Sequence, residues 1–313
     1  MFNPMQFYEF GKSDSITYLT SLIGSDYGAG VAKWQSGTLA PNGHIYCAPR
    51  RATQILKLNT TTDTTSLVGS TYSLLTNRWS TSCLAPNGYI YFCPQDYTQV
   101  LKLDPTTDTT SLIGSTYSGI DKWQGLVLAP NGNLYGAPYK ASQILKLNTL
   151  TDTTSLIGST YSGTNKWSGG TEALNGMVYF SNLNASQVLK LDPTTDTTSL
   201  IGTADTATDK YCGVKLGIDG HLYFSAFDKL NIKKLDTTTE TFTEIPPSYT
   251  GIAKWFDFVL GSNKNLYGVP RTASKIIKFS FEDSIDILGS DAVLPADLST
   301  LATSNYNKYY NKF

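Results

Sequence analysis

Short runs of apolar, aromatic and β-branched residues alternate with turn-forming residues about every ten positions along most of this chain. The stretch from Trp123 shows the pattern. Residues 123–128 read as a first strand, followed by Ala129-Pro130-Asn131-Gly132, whose Asn-Gly pair is a tight-hairpin signal. Residues 133–137 form a second run, 138–142 a loop, 143–147 a third run, 148–153 a turn and 154–158 a fourth run. No segment between them has the length of a crossover helix, so the four strands pair antiparallel.

The pattern repeats. A basic residue followed by an aromatic recurs as Lys33-Trp34, Arg78-Trp79, Lys122-Trp123, Lys166-Trp167, Lys210-Tyr211 and Lys254-Trp255; the first step is 45 residues and the others are 44. All five tryptophans occupy this slot. A tyrosine follows each aromatic by 12 residues (Tyr46, Tyr91, Tyr135, Tyr179, Tyr223, Tyr267), and a lysine follows 11 later (Lys57, Lys102, Lys146, Lys190, Lys234, Lys278). One such unit cannot bury both faces of its sheet, so units must stack. A four-stranded unit with this period predicts a propeller blade. The expected fold is therefore an all-β, six-bladed propeller of four-stranded antiparallel blades, with the aromatic slot and the second-strand tyrosine packed between blades.

The ends complicate the count. Thr20-Ser21-Leu22-Ile23-Gly24 matches Thr110-Ser111-Leu112-Ile113-Gly114, which gives six pairs of first and second strands but seven pairs of third and fourth strands. The alternative is seven blades, one of them incomplete and built from the termini. The expected organisation is a 1–14 segment with a possible extra strand, a 15–290 propeller, and a 291–313 tail that closes the ring or docks elsewhere.

Composition narrows the class. Charged residues are only 16% of the chain and the net charge is −1, which gives no general pull toward nucleic acid or anionic membrane. No apolar run spans a bilayer and the N-terminus lacks a secretory pattern, so membrane insertion and signal-peptide export are not expected. The four cysteines form no CxxC. They read as free buried thiols, with a Cys83–Cys93 bridge across one hairpin as the alternative.

Candidate chemistry is sparse. His44 and His221 follow the glycine of a hairpin turn and read as exposed turn residues, and no GxSxG, HExxH or phosphate loop is present. The Thr-Asp-Thr-Thr aspartates read as turn formers, too dispersed to hold calcium. No catalytic residue, metal or cofactor is expected. Two groups remain as ligand-binding candidates. Lys33, Arg78, Lys122, Lys166, Lys210 and Lys254 would form a circle of charge able to hold an anion or acidic sugar, or would each pair with a carbonyl or acid of the next blade. Tyr72, Tyr97, Tyr117, Tyr139, Tyr161 and Arg50 lie in loops on one face, where the sequence varies most between units, and have the polar-aromatic character of binding surfaces. Lys57 and its equivalents are expected to snorkel at blade edges.

The unit Lys-Trp…Leu-Ala-Pro-Asn-Gly-x-Leu-Tyr…Gln-Ile-Leu-Lys-Leu resembles propeller repeats of phages, large viruses and some microbial eukaryotes. More distantly it is similar to the NHL and streptogramin-lyase-like propellers. The lyases use a histidine-bearing, metal-assisted site that no position here matches, so their activity is not implied. The tail resembles the ends of structural proteins in phages of Bacteroidota. The resemblance implies a non-enzymatic virion structural or adhesion component, made in a host cytoplasm and contacting other virion proteins or a host-surface glycan. A carbohydrate-active or lyase-type enzyme and an intracellular interaction scaffold are the alternatives.

Overall fold

The computed structural model describes residues 21–28, 30, 32–73, 77–246, 255–260, 264–270 and 276–281. The 1–14 segment, the 291–313 tail and Lys254 lie outside them. The described residues form six antiparallel sheets and no helix, and so none long and apolar enough to cross a membrane. We label the blades 1 to 6 (34–68, 79–113, 123–157, 167–201, 211–245, 255–279) and the strands of each blade a to d. Blade 3 is typical: a Trp123–Leu128, b Leu134–Pro138, c Ile144–Asn148 and d Thr153–Ile157. Blades 1 to 5 show four strands in the order a-b-c-d, and blade 6 shows three among the described residues.

Antiparallel order puts the a–b and c–d turns on one face, here called lower. The b–c and d–a loops lie on the opposite, upper face. From blade 1 to blade 6, strand a of each blade packs against strand a of the following one, so these strands line the axis.

The aromatic slot fills the seam between blades. Trp79 is 0% exposed and packs with Tyr46, Ala48 and Ile55 of blade 1 and Ile90, Phe92 and Leu101 of blade 2. Its Nε1 donates to Gln99 O at 3.1 Å, and Trp123 and Trp167 repeat that bond with Gln143 and Gln187. Trp34 makes the same bond to Gln54 but is only half-buried.

The lower face is riveted by one repeated constellation. Tyr91 Oη donates to Asp152 Oδ1 of the next blade at 2.9 Å, and Lys102 Nζ donates to Asp152 Oδ2 at 2.5 Å. Tyr46 and Lys57 meet Asp108 in the same way, and Tyr135 and Lys146 meet Asp196. The lysines therefore bridge blades rather than snorkel. The aspartates do more than form turns: Asp108, Asp152 and Asp196 sit at φ 57°, 56° and 57°, a left-handed geometry that Asp tolerates and that points the carboxylate at the neighbouring blade. Asp104 and Asp192 do serve as turn acceptors, for Thr106 N and Thr194 N.

Blade 5 departs from the rule. Asp219 replaces the turn asparagine and accepts from Tyr223 Oη at 2.7 Å and Lys234 Nζ at 3.0 Å, while His221 Nδ1 lies 2.9 Å from it. His221 thus has the acidic partner that the sequence reading did not give it. The cluster supplies locally the carboxylate that blades 2 to 4 supply to their neighbours.

The N-terminal segment behaves as the end of a strand d. Ser25 N and Tyr27 Oη both bond Thr65 Oγ1, as Ser70 N and Tyr72 Oη bond Thr110 Oγ1. A Cβ on Gly24 would stand 2.4 Å from Thr65 Oγ1, as one on Gly114 would from Thr154 Oγ1, so this seam requires glycine.

Candidate functional site

The charged slot does not make an open ring. Arg78 and Lys210 are 0% exposed, Lys166 is 3% and Lys122 is 4%. Each bonds loop carbonyls: Lys122 Nζ those of Gln95 (3.0 Å) and Gly119 (2.8 Å), Lys166 Nζ that of Gly163 (2.9 Å), Arg78 Nη1 that of Ser73 (2.6 Å). Lys210 bonds Ala207 O, and the less buried Lys33 bonds the carbonyls of Tyr27 and Gly28. The carbonyl-pairing alternative therefore describes the five seen here. Burial pushes the lysine pKa values down, that of Lys166 to about 8. These cations brace the d–a loops.

Most of the candidate tyrosines are braces as well. Tyr72, Tyr117 and Tyr161 donate to Thr110, Thr154 and Thr198 of the next blade, at 3.0, 3.1 and 2.9 Å. Each meets that same next blade's tryptophan edge-to-face with centroids 4.9–5.1 Å apart. Tyr97 stacks on Trp79 at 4.4 Å. Their rings are engaged in blade seams, Tyr72 buried and Tyr97, Tyr117 and Tyr161 half-buried.

What the structure gathers at the axis is a different set. The first residue of each b–c loop follows strand b directly, and its carbonyl accepts from the basic-slot amide of the next blade: Arg50 from Arg78, Gln95 from Lys122, Tyr139 from Lys166, Leu183 from Lys210. Tyr139, Leu183 and Phe227, from three successive blades, join Cys212 in one apolar cluster. These positions all lie on the upper face, with apolar residues from blades 3 to 5 and polar ones, Arg50 and Gln95, from blades 1 and 2; Gln95, Leu183 and Phe227 are buried and Arg50 and Tyr139 half-buried. Arg50 and Tyr139 were among the sequence candidates; Gln95, Leu183 and Phe227 were not.

Below the mouth every strand a carries a β-bulge, for example between Trp167 and Gly170 and between Tyr211 and Val214. Bulges re-aim side chains and release backbone groups from the ladder. The bulged residues enclose a cavity of about 60 Å³ lined by blades 2 to 6, from Thr81 through Gly125, Gly169 and Gly213 to Asp257. Thr81 Oγ1 is buried there and finds no partner among the described residues. A Cβ on Gly125 would lie 2.9 Å from Gly169 Cα, so the glycines let the inner strands close on the axis. The repeat position two after the aromatic (Ser36, Thr81, Gly125, Gly169, Gly213, Asp257) was the available sequence signal, hidden because glycine fills it in blades 3 to 5 but not in the others.

Asp257 accepts from Phe258 N at 2.8 Å, and burial raises its pKa, with Lys215 acting in the opposite sense. Between the ordinary carboxylate pKa and the raised folded value the native state binds more protons than the unfolded chain, so stability falls as pH rises through that window. Asp257→Asn keeps the amide bond and removes the titration. Urea unfolding at pH 4 and pH 7.5 should therefore show a smaller loss in the variant, which becomes the more stable protein at the higher pH. Equal pH slopes would contradict this placement of Asp257.

All four cysteines are free, so the bridge between Cys83 and Cys93 is not formed. Burial raises their pKa to about 11 for Cys83 and about 12 for Cys93, which keeps both as inert thiols. Among the described residues no group of three His, Cys, Asp or Glu side chains is placed to hold a metal.

Six blades around a bulge-lined axis define a six-bladed β-propeller. Solved structures share it: a streptogramin B lyase (14% identity, 80% of this chain and 84% of that chain, TM-score 0.65), the virginiamycin B lyase of Staphylococcus aureus (13%, 80% and 85%, 0.64) and the hydrazine synthase of Kuenenia stuttgartiensis (11%, 91% and 86%, 0.64). At these identities the likeness is one of fold. No family model and no curated protein matches the sequence.

Proposed function

We propose that this chain is a non-enzymatic recognition propeller, an adhesion or structural component displayed on a virion, which meets a host-surface glycan or a virion protein through its upper face. One observation carries the reading. At the first position of the b–c loop five blades carry five different residues, the half-buried Arg50 and Tyr139 and the buried Gln95, Leu183 and Phe227. On the lower face the seam-forming Tyr and Lys recur unchanged in all five. Positions that make blade-to-blade bonds are uniform because the seam geometry is uniform. A mouth with a distinct residue from each blade has the asymmetry that recognition of one ligand orientation requires.

The test pairs an upper-face variant, Arg50→Ala with Tyr139→Ala, against a lower-face control, Leu150→Ser, on a side chain 89% exposed in a c–d turn. Surface changes of the control kind usually stay within about 0.5 kcal/mol. In adsorption-inhibition assays on host cells, and in pull-down of purified particle proteins, the upper-face variant should lose at least tenfold while the control matches the parent. Loss from the control alone would reverse the assignment of faces. Absence of the chain from purified particles by mass spectrometry would remove the virion reading.

A further inference from the structure

Blade 4 holds a cleft of about 370 Å³ between its d–a loop and its b–c loop, floored by Lys166 and Trp167. Three other blades fill the corresponding place with their own side chains. In blade 2, Tyr97 lies against Trp79 with ring centroids 4.4 Å apart and planes 26° apart; blade 4 has Ala185 at that repeat position. In blade 3, Lys140 Nζ reaches Asp121 Oδ2 at 2.9 Å and latches one loop to the other; blade 4 has Asn184 and Asn165 there. In blade 5, Lys229 Nζ reaches Asp205 Oδ2 at 2.7 Å; blade 4 has Ala185 and Tyr161. The cleft exists because blade 4 has neither the aromatic plug nor a charged latch.

The lining defines what fits. Tyr161, Leu200 and Ala185 provide an apolar side. The Nδ2 of Asn184, whose Oδ1 already accepts from Asp209 N at 2.7 Å, and the hydroxyls of Ser162, Thr164 and Ser186 provide short-range polar groups. No carboxylate lines the cleft, so nothing there draws a cation. The one charge, Lys166, is buried and bonded to the carbonyls of Gly163 and Tyr139, so it is not offered to an anion. The volume lies at the low end of the roughly 300–1,000 Å³ of small-ligand sites. We propose that this cleft binds a neutral sugar ring, a pyranose with one apolar face set toward Tyr161 and Leu200 and its hydroxyl edge toward Asn184 and the serines. The proposal rests on the upper face being the recognition face and places a monosaccharide subsite on it.

The experiment titrates the full-length protein with methyl glycosides of glucose, galactose, mannose and N-acetylglucosamine, with glucuronate and phenol as charged and apolar comparators. Binding is followed by calorimetry and by the side-chain amide resonances of Asn184 and Gln187. At least one neutral glycoside should bind and shift those resonances, with glucuronate and phenol weaker. Ala185→Tyr installs the plug that blade 2 already accommodates and should weaken binding at least tenfold with the fold kept. Asn184→Lys with Asn165→Asp installs the blade 3 latch and should do the same. Binding unchanged in both variants, or no neutral glycoside bound at all, overturns the proposal. Binding lost in Arg50→Ala/Tyr139→Ala yet kept in Ala185→Tyr would overturn the cleft and leave the upper-face reading standing. Glycoside contacts confined to the lower turns would overturn both.

Discussion

Replacing Trp79 with alanine should destabilise the protein by about 3–5 kcal/mol, the range for truncating a fully buried large aromatic. Trp79 is the centre of a seam. It packs on side chains of two blades, meets Tyr72 edge-to-face at 5.0 Å and stacks on Tyr97 at 4.4 Å. Its removal leaves a cavity that neither sheet can collapse into, because each is held at its lower end by the Tyr–Lys–Asp rivets. The half-buried Trp34 provides the comparison: Trp34→Ala should cost clearly less, although both residues occupy the same repeat slot. Equal losses in chemical denaturation would mean that sequence register, not packing, governs these sites.

The second large effect is expected at the axis. Gly125 has φ +97°, and an added Cβ would meet Gly169 backbone atoms at 2.9 and 3.0 Å. Backbone in this region costs a non-glycine residue about 1–3 kcal/mol, and here the obstruction is another main chain, which no rotamer change can move. Gly125→Ala should therefore lose more than Gly43→Ala, where φ is +79° but nothing lies within 4 Å of the new atom. The difference between the two variants isolates the close approach of blades 3 and 4. A Gly125→Ala protein as stable as Gly43→Ala would show that the inner strands do not close on the axis as described.

The fold was legible because its strongest determinants are periodic. A basic residue before an aromatic and the Tyr–Lys spacing recur once per blade and Asn-Gly recurs in blades 1 to 4, and the Tyr–Lys–Asp seam contact recurs with them from blade 1 to blade 3. Reading the individual roles was harder for the same reason. A basic residue repeated six times looks like a charge ring in one dimension, and only three dimensions show the five described ones folded back onto loop carbonyls. The rim tyrosines misled similarly: a hydroxyl 37 or 38 residues from its threonine acceptor leaves no local trace. The mouth and the axial cavity were illegible for the opposite reason. The mouth residues share a repeat position but no residue type, and the axial position mixes three glycines with Thr81 and Asp257, which become one site only when the ring is closed. The blade 4 cleft depends on substitutions, Ala185 for a tyrosine and Asn184 for a lysine, that read as loop variation until the plugs in other blades are seen.

Recognition through the upper face is the claim on which the rest depends. Hydrogen–deuterium exchange of the full-length chain, free and bound to its isolated host-surface or particle partner, tests it most directly. The account predicts added protection in the b–c loops 94–98, 138–142, 182–186 and 226–230, with the Asn-Gly and Thr-Asp-Thr turns of the lower face unchanged. Protection confined to those lower turns would contradict it.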